Sequence, residues 1–164
     1  MINGSFAVMQ INGRYLFLRR HDNGKWDLVG GGYDIHEVLH KVVLRREVKE
    51  EINLDIPPEL FHLCATLGQR LKKSVSEQYG GIKFGTIYVY YVILYGKYET
   101  VLDDEHTEYR LFSYEEIMEN WKDFSSGPLW QFFTFLTFQE ENKLQDGMLW
   151  ERRTWKEREY FTPS

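Results

Sequence analysis

Residues 30–54 read GGGYDIHEVLHKVVLRREVKEEINL, three glycines followed by a helical pattern that ends in a dense group of acids. On a helix with 3.6 residues per turn, Glu47, Glu50 and Glu51 share one face at positions i, i+3 and i+4. Three unpaired carboxylates so close together repel one another unless a cation lies among them. Several hard oxygens favour Mg²⁺ or a relative such as Mn²⁺, so this face predicts a metal site.

The opposite side of the predicted helix is apolar. Its stripe is formed by Val38, Val42, Leu44, Val48 and Ile52, a spacing that suits packing against a sheet. We therefore expect one side of the helix to be part of the core and the other side to carry the chemistry.

The same stretch resembles the sequence motif of Nudix hydrolases: Gly, five residues, Glu, seven residues, Arg-Glu, an aliphatic, any residue, Glu-Glu, any residue, Gly, an aliphatic. Residues 46–54, REVKEEINL, match its second half at every defined position except Asn53, where the family has Gly. The departure is mild, because Asn also adopts the left-handed conformation that ends a helix.

The first half of the motif departs further. Val38 stands where the motif has its Glu, and the nearest acid is Glu37. Either one residue is inserted, so that Gly31 pairs with Glu37, or Gly32 is the motif glycine and its Glu is absent. Glu37 also fits a capping box with Asp34 as the N-cap, and we favour this structural role.

The resemblance covers residues 6–138 and implies an α/β fold, a Nudix-like α/β/α sandwich with a mixed central sheet. It implies metal-dependent cleavage of a nucleoside diphosphate linked to another moiety, with Mg²⁺ or Mn²⁺ held by Glu47, Glu50 and Glu51. The chain starts at its first predicted hairpin, without the extension common in dimeric members that cleave ADP-ribose. This favours a nucleoside triphosphate or a nucleotide sugar. The alternatives are a nucleotide-binding regulator without turnover and, less favoured, a solvated acidic helix end in an unrelated protein.

The resemblance also suggests roles around the acids. Arg46 would orient Glu50 through a charge-assisted hydrogen bond, and we count Arg46, Glu50 and Glu51 as catalytic. A backbone carbonyl of the glycine loop would join the metal ligands. We assign this carbonyl to Gly31, with Gly30 and Gly32 as the neighbouring choices.

A second stretch, residues 102–117, reads LDDEHTEYRLFSYEEI and resembles the Nudix segment in which an acidic loop enters a short strand and a Ser-capped helix. Glu105 occupies the place from which many members supply a further carboxylate, as a metal ligand or as the base for water. Its rivals are Asp103, Asp104 and Glu108, and the remaining alternative is an acidic turn without a role.

Four residues are candidate substrate contacts. Arg20 is one of two consecutive arginines at the end of a predicted strand, and alternation places only one of them on the pocket face. Gly31 and Gly32 let the backbone approach an anion near a helix N-terminus. Arg70 belongs to residues 68–85, a basic glycine-marked segment that is predicted to be a long hairpin loop or two strand ends. As a loop it would either bind a phosphate or be plainly solvated.

Further elements follow from local pattern. Asn12-Gly13 between two apolar runs predicts a β-hairpin, because both residues tolerate positive φ. Residues 86–95 are apolar on both faces and predict a central strand. Ser113 with Glu116 predicts a second capping box and a helix after it.

Composition bounds the class of protein. The 164 residues predict one domain, residues 1–145, and an aromatic tail, residues 146–164, that packs on the domain, completes a homodimer or borders the pocket. The net charge of −5 argues against a nucleic-acid partner. A single cysteine, Cys64, the absence of a signal-peptide pattern and a longest apolar run of only nine residues predict a cytoplasmic protein without membrane association.

Overall fold

The computed structural model describes residues 2–33, 40–70, 73–78, 80–81 and 84–149. This part of the chain forms seven strands and four helices. The strands are β1 (Ile2–Ile11), β2 (Arg14–Arg20), β3 (Trp26–Asp27), β4 (Val29–Tyr33), β5 (His62–Arg70), β6 (Phe84–Leu94) and β7 (His106–Phe112). The helices are α1 (His40–Ile52), α2 (Lys73–Gln78), α3 (Tyr114–Glu119) and α4 (Ser126–Leu149). None of these helices is long and apolar enough to cross a bilayer.

The strands form one mixed sheet in the order β3-β2-β1-β6-β5, with β4 also paired to β1 and β7 to β2. β1 and β6 are parallel, and the other pairs are antiparallel. Asn12 and Gly13 have φ angles of 52° and 81°, which confirms the predicted hairpin between β1 and β2. β6 lies between β1 and β5 with residues 89–94 all buried, which confirms the predicted central strand.

Helices cover both faces of the sheet. On one face, Leu44, Val48 and Ile52 of α1 belong to a buried cluster with residues of β1 and β6. On the other face, Phe132 and Phe135 of α4 belong to a cluster with β2 and β6. The predicted α/β/α sandwich is therefore confirmed.

The prediction for α1 was right at its C-terminal end and wrong by one residue in its apolar stripe. Asn53 has a φ of 58° and its N–H donates to the Lys49 carbonyl at 3.0 Å, as expected for a helix end. Val43 is buried, whereas Val42 is 52% exposed. Val38 and the predicted capping box at residues 34–37 lie outside the described residues.

The glycine stretch was predicted as a loop, and this was wrong, because residues 29–33 form strand β4 along β1. Gly30 pairs with Phe6 and Gly31 with Ser5. Gly30 has a φ of 139°, and a Cβ there would lie 2.2 Å from the Ser5 carbonyl oxygen. Glycine is required at this position because β1 passes so close, a contact that the local sequence does not reveal.

Gly30→Ala should therefore destabilise the protein by about 3 kcal/mol, since it combines a strained φ with a backbone clash. We expect the melting temperature to fall by roughly 6–12 °C in thermal unfolding followed by circular dichroism. Gly32→Ala is the matched control, because among the described residues its Cβ would meet only the Asn3 carbonyl oxygen, at 3.7 Å. Equal melting temperatures for the two variants would contradict this account of β4.

The remaining predictions concern α3, residues 68–85 and the C-terminal tail. The capping box at Ser113 and Glu116 is present in full and begins α3, as predicted. Residues 68–85 were predicted as a loop or strand ends. They contain the last three residues of β5, the first two residues of β6 and the short helix α2 between them. α4 continues past the predicted boundary at residue 145 to Leu149, and residues 150–164 of the predicted tail lie outside the described residues.

Candidate functional site

A cleft of about 570 Å³ lies beside the N-terminal half of β1. Its lining comes from β1, β2, β3, β4, α1, β6, the start of β7, the first turns of α4 and loops beside them. One part of the lining is charged and includes Glu51, Asp27, Arg20 and Glu105. We call this part the charged end, and the rest of the lining combines apolar side chains with glycines, serines and Gln131.

Glu51 lines the charged end of the cleft. Its side chain is buried, and the Gly30 N–H donates to Glu51 Oε2 at 3.1 Å. Burial, together with the charges of Glu47, Asp103 and Asp27, raises the pKa of this carboxyl to about 9 despite that hydrogen bond. A buried acid surrounded by other acids is costly to ionise without an added cation.

Arg46 holds the other two acids of α1. Its Nη1 lies 3.2 Å from Glu47 Oε1 and 3.2 Å from Glu50 Oε1. The Glu47 side chain is 15% exposed and lies against the glycine strand, since a Cβ on Gly31 would fall 3.0 Å from Glu47 Oε2. The Glu50 side chain is 56% exposed. The structure therefore brings Glu47 and Glu51 to β4 and leaves Glu50 at the surface with Arg46.

Among the described residues, no three His, Cys, Asp or Glu side chains already converge into a group that could hold a metal ion. Arg46 supplies positive charge to Glu47 and Glu50, whereas three acids add to the rise in the pKa of Glu51. The available donors are carboxylate oxygens and the backbone of a glycine strand, the ligand type that Mg²⁺ and Mn²⁺ prefer. The residues present therefore fit a divalent cation.

Arg20 lines the cleft and is held by two acids. Its Nη2 lies 2.8 Å from Asp22 Oδ2 and its Nη1 lies 3.2 Å from Asp27 Oδ2. Burial raises the pKa of Asp27, with Arg20 opposing the rise. The neighbouring Arg19 instead pairs with Glu108 at 2.7 Å and is not among the lining residues, as strand alternation predicts.

The four acids that are candidates for the further carboxylate, near the start of β7, have different surroundings. Glu105 lines the cleft, and its carbonyl accepts the His21 N–H at 2.8 Å, which ties the loop to the end of β2. Asp103 Oδ1 lies 2.7 Å from His106 Nδ1, and the Asp103 N–H donates to the Glu51 carbonyl. Asp104 does not line the cleft, and Glu108 is engaged by an arginine outside it.

The lining residues that sequence reasoning did not single out include Asp27 and Gln131, and one predicted contact, Arg70, is not among the described lining residues. Arg70 is exposed at the end of β5 and is not among the described lining residues, so its substrate contact stays a prediction. Asp27 was missed, although a single acid three residues before the glycines in an otherwise apolar run was a usable signal. Gln131 sits inside an aromatic helical stripe, where nothing in the sequence marked it as part of a site.

Comparison with known proteins gives a consistent result. The family model described as NUDIX domain matches residues 2–133. A MutT protein from Methanosarcina mazei is similar in structure, with 26% identity, a TM-score of 0.64 and coverage of 87% of this chain and 95% of its own. The Escherichia coli dihydroneopterin triphosphate pyrophosphohydrolase has 22% identity and a TM-score of 0.59, with coverage of 76% and 86%.

A Caenorhabditis elegans Ap4A hydrolase has 21% identity and a TM-score of 0.58, with coverage of 84% of this chain and 98% of its own. At these two lower identities the likeness concerns the fold. A search of curated proteins returned no match.

Proposed function

This chain belongs to the Nudix family of hydrolases, and on that premise we propose that it is a metal-dependent pyrophosphohydrolase. Its proposed substrate is a nucleoside diphosphate linked to another moiety, with a nucleoside triphosphate or a nucleotide sugar as the leading candidate. The names of the two structures compared last, a dihydroneopterin triphosphate pyrophosphohydrolase and an Ap4A hydrolase, are in keeping with a substrate that contains linked phosphates.

The observation that carries the proposal is the buried carboxyl of Glu51. Folding takes this acid out of water, bonds it to the Gly30 N–H and places it at the edge of a cleft beside other acids. Burying an apolar side chain here would cost less free energy than burying an acid. The acid therefore indicates a function that needs charge.

We assign the cation to Glu47, Glu50 and Glu51, with the Gly31 carbonyl as the backbone ligand. When bound, Mg²⁺ or Mn²⁺ would neutralise phosphate oxygens and lower the pKa of the attacking water. Arg46 keeps Glu47 and Glu50 in defined positions through its ion pairs with both, because a guanidinium can hold two carboxylates at once.

Glu105 is the proposed general base. It lines the same cleft as Glu51 but comes from the loop before β7 and not from α1. In this role Glu105 takes a proton from water as the phosphorus–oxygen bond forms, and the leaving phosphate departs in line. A ligand role for Glu105 is the competing assignment.

Arg20 and the backbone of Gly31 and Gly32 are the proposed phosphate contacts. The pair between Arg20 and Asp22 is largely exposed, with side chains 43% and 62% accessible, and such pairs contribute little. A phosphate group can therefore replace Asp22 at low cost while Asp27 still holds the guanidinium in place.

The test is a panel of nucleoside triphosphates, nucleotide sugars and dinucleoside polyphosphates, incubated with Mg²⁺ or Mn²⁺ and with EDTA as the control. We expect at least one compound to release a nucleoside monophosphate in the presence of metal and none to do so in EDTA. Tight nucleotide binding without turnover of any compound would favour the regulatory module instead.

A further inference from the structure

We propose that Gln131 recognises the planar base of the substrate by accepting an N–H hydrogen bond at its Oε1. The inference rests on the proposed function, because it locates the base of the nucleotide whose phosphates lie at Glu51. It adds a specificity-determining residue and states which chemical group that residue reads.

Gln131 is a buried polar side chain whose oxygen has no partner. The residue is 8% exposed, it lines the cleft from the second turn of α4, and its Oε1 is fully buried without a hydrogen bond. Buried acceptors are nearly always satisfied, because an unmade hydrogen bond costs free energy. A side chain that lines a cleft and has an acceptor without a partner is therefore suited to a donor on a ligand.

Phosphate cannot be that ligand group. Ionised phosphate oxygens only accept hydrogen bonds, so they would meet Gln131 Oε1 acceptor to acceptor. Nucleobases carry ring or exocyclic N–H donors beside acceptor atoms, which matches a carboxamide. The first turn of α4 adds donors of its own, since Ser126 and Gly127 line the cleft and the first N–H groups of a helix have no partners within it.

Apolar side chains line the same cleft as Gln131 and the acids. They come from Phe6, Leu28 and Ile87. The Phe6 ring borders Gly30, since a Cβ on that glycine would fall 2.9 Å from the ring, and the Gly30 N–H holds Glu51. The apolar surface is thus continuous with the acidic end.

Such a surface favours a flat heterocycle over a second sugar. A base covers apolar side chains with its own apolar face and keeps its polar edge free for Gln131. A polyhydroxylated ring would lose water from several hydroxyls against Phe6 and Ile87 without gaining partners there. We therefore place the base, and not the linked moiety, at the Gln131 end of the cleft.

The experiment measures binding by isothermal titration calorimetry in EDTA, where no turnover occurs. The probes are AMP, GMP, CMP, UMP and ribose 5-phosphate. The variant Gln131→Met keeps the side-chain length and removes the hydrogen bond. Gln139→Met is the matched control, because Gln139 is on the same helix and 7% exposed but does not line the cleft.

We expect wild-type protein to bind at least one nucleoside monophosphate about tenfold more tightly than ribose 5-phosphate. Gln131→Met should weaken that binding roughly tenfold, as expected for one hydrogen bond lost to a buried site. Its affinity for ribose 5-phosphate should stay unchanged, and Gln139→Met should behave as wild type.

Unchanged nucleotide affinity in Gln131→Met would overturn the proposal, as would wild-type protein that binds ribose 5-phosphate as tightly as every nucleotide. A measurement without any variant guards against misfolding: an N-methylated analogue of the best-bound nucleotide, with its donor hydrogens replaced, should bind about tenfold more weakly to wild-type protein. Equal binding of that analogue would also reject the proposal. Tighter binding of a nucleotide than of ribose 5-phosphate in EDTA, together with no hydrolysis in Mg²⁺, would reject the proposed hydrolase activity and support the base site.

Discussion

Glu51→Gln should lower kcat/KM for the best substrate of the panel roughly a thousandfold in Mg²⁺. The substitution removes one charge but keeps the side-chain length, and its amide oxygen can still accept the Gly30 N–H. The fold is therefore retained while the cation loses its buried carboxylate. Steady-state kinetics and a metal titration on the same preparation would separate weaker metal binding from slower chemistry.

The control for this variant is Glu59→Gln, which makes the same chemical change at an exposed glutamate of the short 3₁₀ helix Pro58–Leu60. We expect Glu59→Gln to keep wild-type kinetics. More than a tenth of wild-type activity in Glu51→Gln would remove this residue from the catalytic centre, because a neutral side chain would then serve nearly as well.

The sequence could predict those parts of the fold whose causes are local. Asn12 and Gly13 specify a turn by their own conformational preferences, and Asn53 ends α1 for the same reason. The run of buried residues in β6 identifies a strand covered on both faces without knowledge of its neighbours. Ser113 and Glu116 cap α3 through contacts only three residues apart.

The errors share a cause, which is dependence on contacts far along the chain. Gly30 is constrained by β1, about 25 residues earlier, so its extended pairing was read as a loop. The apolar stripe of α1 was placed one residue out of phase because Val42 and Val43 are equally apolar and only packing against the sheet separates them.

The candidate site divides in the same way. The motif identified Glu47, Glu50 and Glu51 as a group. It could not predict that Glu50 is exposed beside Arg46 while Glu51 is buried. Nor could it connect Gln131 with β4, because their common cleft exists only once α4 has packed on the sheet.

In EDTA, the free energy of unfolding should fall by about 3 kcal/mol or more between pH 5 and pH 8. The carboxyl of Glu51 has a folded-state pKa of about 9 against an ordinary value of 4.5, so over this range the folded protein binds a proton that the unfolded chain releases. Stability contributed by the protonated form is complete below the ordinary pKa and is lost as the pH rises toward the folded one. The raised pKa of buried Asp27 acts in the same direction.

Mg²⁺ should reverse the loss at pH 8 and have little effect at pH 5, because a cation competes with the proton for the same carboxylate. Denaturant unfolding at both pH values, with EDTA or Mg²⁺, measures all four conditions. In EDTA, Glu51→Gln should be more stable than wild type at pH 8 and should lose most of the pH dependence, whereas Glu50→Gln should keep it, since Glu50 is exposed beside Arg46. A flat wild-type profile in EDTA would mean that Glu51 ionises without cost, and the argument for a cation at this acid would fail with it.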